Sequence, residues 1–267
     1  MSIAIVIPPY VEAIHKEEMK EHLKIEAAVT ADDELIEALI TAARDVAETG
    51  TGANARRHKV MLATTFDLKL NAFPAYSIYL SRVPLISVTS ITYVDANGTT
   101  QTMSSSDYVA DTLNSKIDLA YSEVWPTTRP DYNAVTVRFI AGIAASFTAA
   151  TTDICTFQGR AFSVGDRVRL MNSGGALPAG LSSLTDYFVL ALDKLSLTSG
   201  GGVVDITGTG TGTHFIGPTL AGFVELCGAV KLKTADLYYN RGDQTSGTIR
   251  MDNTDRVIDA ICYANHA

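Results

Sequence analysis

Five histidines, three cysteines and a scatter of aspartates are the residues of this 267-residue chain that could do acid–base, nucleophilic or metal chemistry. A metal centre needs His, Cys, Asp or Glu at ligand spacing, and a catalytic histidine needs a nucleophile and an orienting acid. His15 and His22 fall in an acidic stretch, His58 opens a strand-like run, His214 sits in a Gly/Thr turn and His266 is one residue from the end. No pair of them has ligand spacing with a carboxylate beside it. Cys155, Cys227 and Cys262 are an odd, widely spaced set, which is neither a disulfide framework nor a zinc pattern. They read as small buried hydrophobes in a chain folded under reducing conditions. Asp153, Asp166, Asp186, Asp193 and Asp205 could offer oxygens to calcium, but not at the spacing of a calcium loop. The Thr-Gly alternation at 207–212 has no following lysine and opens no helix directly, so it reads as a flexible turn, not a phosphate cradle. Arg241-Gly242-Asp243 reads as a helix terminus. There is no G-x-S-x-G and no H-E-x-x-H. The residues predict no catalytic, metal or cofactor site, and no enzyme.

What remains is chemistry of contact. Between Glu12 and Glu48 stand eleven acids against Lys16, Lys20, Lys24 and Arg44, a net of −7 in a chain whose net charge is −8. Glu17, Glu18, Glu21, Asp33, Glu34 and Glu37 form the expected acidic helix face. Such a balance argues against tight binding to a phosphate backbone, which needs clustered Lys and Arg. Trp125 and Arg129, in the segment Trp125-Pro126-Thr127-Thr128-Arg129-Pro130, are the residue types enriched where interfaces are anchored. Val257, Ile258, Ile261 and Cys262 would share one side of a last helix over 253–265. No apolar run is long enough to span a bilayer, so no membrane partner is expected.

These residues need elements to hold them. Residues 18–45 read as two helices joined by a polar turn. The second carries an apolar stripe at Leu35, Ile36, Leu39, Ile40, Ala43 and Val46 and stops near the glycines at 50 and 52. The apolar patch Ile3-Ala4-Ile5-Val6-Ile7 lacks a basic flank and precedes Pro8-Pro9, so it reads as a short strand or docking arm, not a signal peptide. From 58 to 141 the period becomes that of strands: 60–70, 77–80, 87–95, 99–103, 108–112, 116–119 and 134–140. Asp95-Ala96-Asn97-Gly98 marks a hairpin. At 142 the composition shifts, and 143–217 holds twelve of the twenty glycines, ten threonines and only nine charged residues. Strands there are expected at 153–157, 166–171, 187–193 and 194–198, as a small β-barrel or sandwich. Helix returns at Pro218 and runs to about Asn240.

Three separated segments resemble the head-to-tail connector (adaptor) family of long-tailed bacteriophages. Residues 17–25 with 32–44 are similar to its opening. Trp125-Pro126 through Arg129-Pro130 to the run 134–142 resembles the close of its β region. Ala235-Asp236-Leu237-Tyr238-Tyr239-Asn240-Arg241 is similar to the end of its long helix. The resemblance implies an α+β fold. Its helical adaptor core, an N-terminal helix pair and a long C-terminal helix with a β-meander, would be built from 1–142 and 218–267. Residues 143–217 depart from the family pattern and would be an inserted β module. The resemblance further implies a structural virion protein at the neck, assembled in the host cytoplasm as a homo-oligomeric ring of about twelve copies. That ring would join the portal protein to the stopper or tail-completion protein, with double-stranded DNA passing its lumen only as non-specific cargo. The terminal residues Val257, Ile258, Ile261 and Cys262 would dock on the portal, and Trp125 and Arg129 would anchor the ring or neck. The alternative from the residues alone is a tail or decoration protein whose Gly/Thr-rich module binds a surface glycan.

Overall fold

The computed structural model describes residues 1–49, 58–218, 220 and 222–240. Internal contacts divide the chain into two compact units, Met1–Pro9 with Arg57–Gly142, and Tyr10–Arg56 with Ile143–Ala267.

The first unit is built of strands, numbered in chain order: β1 (Ser2–Ile7), β2 (His58–Lys59), β3 (Thr64–Leu70), β4 (Ile78–Tyr79), β5 (Arg82–Val83), β6 (Leu85–Val94), β7 (Thr100–Thr102), β8 (Tyr108–Asp111), β9 (Lys116–Leu119) and β10 (Val135–Ala141). Five of them form an antiparallel sheet in the order β1-β3-β10-β6-β7. The period of two decides its faces. Val135, Val137, Phe139 and Ala141 of β10 are fully buried and meet Phe66 and Leu68 of β3 and Ile91 of β6. Phe66 and Phe139 stack with ring centres 5.6 Å apart. The alternate residue Arg138 points to the other face, where its guanidinium grips Asp67 with two bonds of 2.8 and 2.9 Å. The apolar patch at the start of the chain is indeed a strand, with Ile3 opposite Leu68 and Ile5 opposite Phe66. The expected hairpin joins β6 to β7. Gly98 takes a φ of +84° and donates to Asp95, whose carboxylate accepts from the N–H groups of Asn97 and Thr99. A three-stranded sheet, β4-β9-β8, and the short parallel pair β2-β5 complete the unit.

The second unit contains the helices and the remaining strands: α1 (Lys16–His22), α2 (Asp33–Thr49), β11 (Ala145–Ala149), β12 (Cys155–Gln158), β13 (Arg167–Ser173), β14 (Tyr187–Leu190), β15 (Lys194–Ser196), β16 (Thr213–Gly217) and α3 (Phe223–Tyr239). Its strands make an antiparallel sheet in the order β12-β11-β16-β13-β14-β15. α2 buries Ile36, Ile40, Ala43 and Ala47. The stripe is therefore rotated from the expected one, leaving Leu35 exposed and Leu39 and Val46 half-buried. α3 buries Phe223, Leu226, Cys227, Ala229, Val230 and Thr234, and its first ring lies 5.3 Å from that of Phe215 on β16.

The expectation of an α+β fold around a helical core is corrected here. Among the described residues there are sixteen strands and three α-helices, so the molecule is mostly β. α1 has seven residues, and α3, with seventeen, is no longer than α2. α3 serves as one layer beside α2 and the strand β16, not as the spine of a helical core. The physical reason is area. Each helix offers one buried face, whereas β10 buries alternate side chains along its whole length and gathers an apolar cluster with residues of β3 and β6, among them Phe66, Leu68, Leu85 and Ile91.

Candidate functional site

In the second unit, helix α1 opens on His15, whose Nδ1 accepts from the Glu17 N–H at 3.3 Å and so caps the helix. The His15 backbone N–H donates to Ser173 Oγ at 2.7 Å, and that hydroxyl donates to the Glu18 carboxylate. A serine, a histidine and a glutamate thus come together, but through the wrong atoms for activating a hydroxyl. The ring is spent on the cap, and Ser173 is buried. The trio pins the start of α1 to β13. Glu18 also pairs with Lys231 of α3.

The acidic residues expected on one face separate into two groups. Asp33 is held by Lys20 at 3.0 Å and Lys16 at 3.1 Å, and the hydrogen bond from Lys20, first, holds its carboxyl below the usual carboxylate range. Lys20 is 1% exposed and gives a second bond of 2.9 Å to the Ala27 carbonyl. Glu18 and Asp33 therefore serve the interior. Glu37 pairs with Lys16 at 3.1 Å yet stays exposed, and Glu17, Glu21 and Glu34 also face solvent. A shallow cavity of about 460 Å³ is lined by Glu17, Glu18, Glu21, Asn172, Gly174 and Gly175.

The other residues with chemical potential have structural partners. His214 is buried, with Asn172 at its Nδ1 and the Thr209 carbonyl 3.1 Å from its Nε2. Burial lowers its pKa, opposed by that carbonyl. Cys155 and Cys227 are buried, and desolvation pushes both thiols up to about 12. Asp153 accepts from the Ile206 N–H at 2.8 Å, and Asp186 is clamped by Arg169 and Arg167, which lower its pKa. Among the described residues no three His, Cys, Asp or Glu side chains gather as a metal site, and no described helix is long and apolar enough to cross a membrane.

In the first unit, Trp125 lies flat on Phe73, ring centres 4.9 Å apart and planes 8° from parallel. Its Nε1–H donates to the Tyr76 carbonyl at 2.8 Å. Trp125 thereby clamps the loop after β3 to the loop before β10. Arg129 is exposed, and its backbone N–H donates to the Val94 carbonyl at 3.0 Å. Sequence reasoning missed what this clamp displays. Tyr76, Tyr121, Val124 and Tyr132 stand in the two loops at 78–98% exposure. Their apolar character in loops without period carried the only signal. Val257, Ile258, Ile261 and Cys262, with the expected helix 253–265, lie outside the described residues, as do Arg241-Gly242-Asp243.

No protein-family model matches the chain, and no curated protein matches it. Solved structures do. A chain in the neck of an empty gene transfer agent particle, computed with six-fold symmetry, aligns over 98% of this chain and 95% of its own, at TM-score 0.54 and 17% identity. This chain has that fold. A chain in the virion of the native particle aligns over 97% and 94% (TM-score 0.53, 17% identity), and one in the native neck, computed with twelve-fold symmetry, over 98% and 94% (TM-score 0.52, 17% identity). The match runs through both units, including residues 143–217.

Proposed function

We propose that this chain is a structural protein of a virion neck, a ring subunit that joins the portal to the stopper or tail-completion protein. The observation that carries the reading is the alignment, nearly end to end on both sides, with chains in gene transfer agent necks. Rotational symmetry in those necks agrees with a ring here, for which about twelve copies is the expectation. The residues agree as well. His15, His214, Cys155, Cys227, Asp33, Asp153 and Asp186 are taken up by caps, cores, hydrogen bonds and ion pairs, which supports a chain that works by contact. The exposed acids Glu17, Glu21, Glu34 and Glu37 suit a surface along which DNA travels without being held. Residues 143–217 are the segment that departs from the connector pattern in sequence, and they belong to the same functional subunit. Trp125 and Arg129 set the loop that anchors neighbours in the neck.

Portal docking is assigned to Val257, Ile258, Ile261 and Cys262. The test is co-sedimentation of the purified chain with its portal protein. The wild type should pellet with the portal, and the Ile258→Asp/Ile261→Asp double variant, with unchanged circular dichroism, should lose at least tenfold in affinity. Undiminished binding by a folded double variant contradicts the docking assignment.

A further inference from the structure

Arg160 carries a charge without a counterpart. It follows β12, the margin of the six-stranded sheet, and its Cζ lies 4.8 Å over the Phe162 ring, which meets Phe157 edge-on at 5.0 Å. The side chain is half-buried, and its Nε is buried with no hydrogen-bond partner. Desolvation lowers its pKa, opposed by Asp166 alone, and the Asp166 carboxylate accepts from the Ser163 N–H at 2.8 Å instead of holding the guanidinium. Among the described residues no carboxylate or carbonyl is bonded to Arg160. A cation drawn out of water is ordinarily paired, because leaving it alone is costly. With its position fixed on an aromatic ring, the guanidinium is a ready fork for a carboxylate.

Unpaired charge of the opposite sign stands elsewhere on the same unit. Glu17 and Glu21 lie one turn apart on α1, both exposed, and line the shallow cavity with Asn172, Gly174 and Gly175. Glu18 is held by Lys231 and Glu37 by Lys16, but among the described residues no cation or N–H group holds the carboxylates of Glu17 and Glu21. The register puts the two features at opposite ends of the sheet. Gln158, Ser146, Phe215 and Met171 share one level across β12, β11, β16 and β13. Arg160 lies beyond it toward Gly217 and Arg169, and Asn172–Gly175 lie beyond it the other way. We propose that Arg160 of one copy is held by the Glu17 and Glu21 carboxylates of a second copy. The inference rests on the reading of the chain as a ring subunit. One end of the sheet then meets the other end in the next copy, the head-to-tail contact that a closed ring needs. Charge fixes the pairing, since Arg160 on Arg160 or α1 on α1 would bring like charges together. Glu34 and Glu37 of α2 are left for the surface along which DNA travels. The contact also gives residues 143–217 a part in assembly, because Arg160 belongs to that stretch.

Charge reversal tests this on the purified full chain, alone and with its portal protein, with the multimer read by native mass spectrometry. Arg160→Glu and Glu17→Arg/Glu21→Arg should each weaken multimerisation at least tenfold. The variant carrying all three changes should recover most of the wild-type multimer. Arg160→Met separates assembly from folding, because an apolar side chain of similar reach removes the unpaired charge. It should keep or raise the melting temperature of the free chain and still weaken the multimer at least tenfold. Charge reversals that leave the multimer intact, or a triple variant no better than the others, overturn this contact and leave the ring reading standing. A lower melting temperature for Arg160→Met with an unchanged multimer means that Arg160 serves its own fold, and it overturns the contact as well. A wild-type chain that never multimerises, with or without the portal, overturns both.

Discussion

At the scale of residues, the two described thiols, Cys155 and Cys227, are turned inward. A thiol reacts as its thiolate. With Cys155 and Cys227 pushed up to about 12 by burial, both are protonated at pH 8. Native protein treated with a thiol reagent at that pH should show at most one fast equivalent per chain. Unfolding in urea should release the rest of the three. Two or more fast equivalents in the folded state would contradict the burial of these residues. Asp67 makes a second case. Its hydrogen bonds from Arg138 hold its carboxyl below the ordinary value of 3.8. A depressed carboxylate stabilises the fold above its unfolded pKa, and that stability is lost as pH falls through the folded one. Urea midpoints measured from pH 6 to pH 2.5 should therefore fall below about pH 4 more steeply for the wild type than for Asp67→Asn. Parallel curves would show that the pair contributes nothing to the pH dependence.

At the scale of elements, the turn that ends β10 is the tightest point of the first unit. Gly142 has a φ of +154°, and a Cβ there would lie 2.6 Å from the Ala63 nitrogen and the Leu62 carbonyl carbon. Those are backbone atoms, so no side chain can swing aside. Gly142→Ala should cost roughly 3 kcal/mol or more of stability, read from urea unfolding followed by the fluorescence of Trp125, the chain's single tryptophan. A loss under 1 kcal/mol contradicts the strain. Elements with a clear period were legible in the sequence. Val135, Val137 and Phe139 alternate cleanly, and Asn97-Gly98 announces a hairpin. β11 and β16 were not legible, although they sit inside the six-stranded sheet. Ala145–Ala149 is small-residued, with three of its first residues buried in succession, and Thr213–Gly217 follows a Thr/Gly run with four of its five residues buried. Neither alternates, because both faces of these strands are covered. The helical core was over-read for a related reason. The sequences of α1 and α2 carry the strongest periodic and charge signals, yet that signal measures a helix's surface contrast and not its share of the fold. At Trp125 the sequence shows the aromatic but not what holds it, because Phe73 and the Tyr76 carbonyl come from about fifty residues away. The exposed tyrosines beside it belong to loops, where no period exists to read.

At the scale of the whole molecule, the proposed role is that of one repeating part of a larger body. Its charge distribution, its spent reactive groups and its open apolar faces all suit a subunit whose function lies in contacts with copies of itself and with the parts above and below it. The resemblance in residues 17–25 with 32–44, 125–142 and 235–241 implies a helical core, whereas the fold this chain shares with chains of gene transfer agent particles is mostly β; both support the proposed place in a neck. The measurement that bears most directly on this is the mass of the purified chain, alone and mixed with its portal protein, by native mass spectrometry or sedimentation. The expected result is a discrete closed multimer of about twelve copies, stable with the portal even where the free chain is smaller. A chain that remains a 28.5 kDa monomer at every concentration and ignores the portal contradicts it.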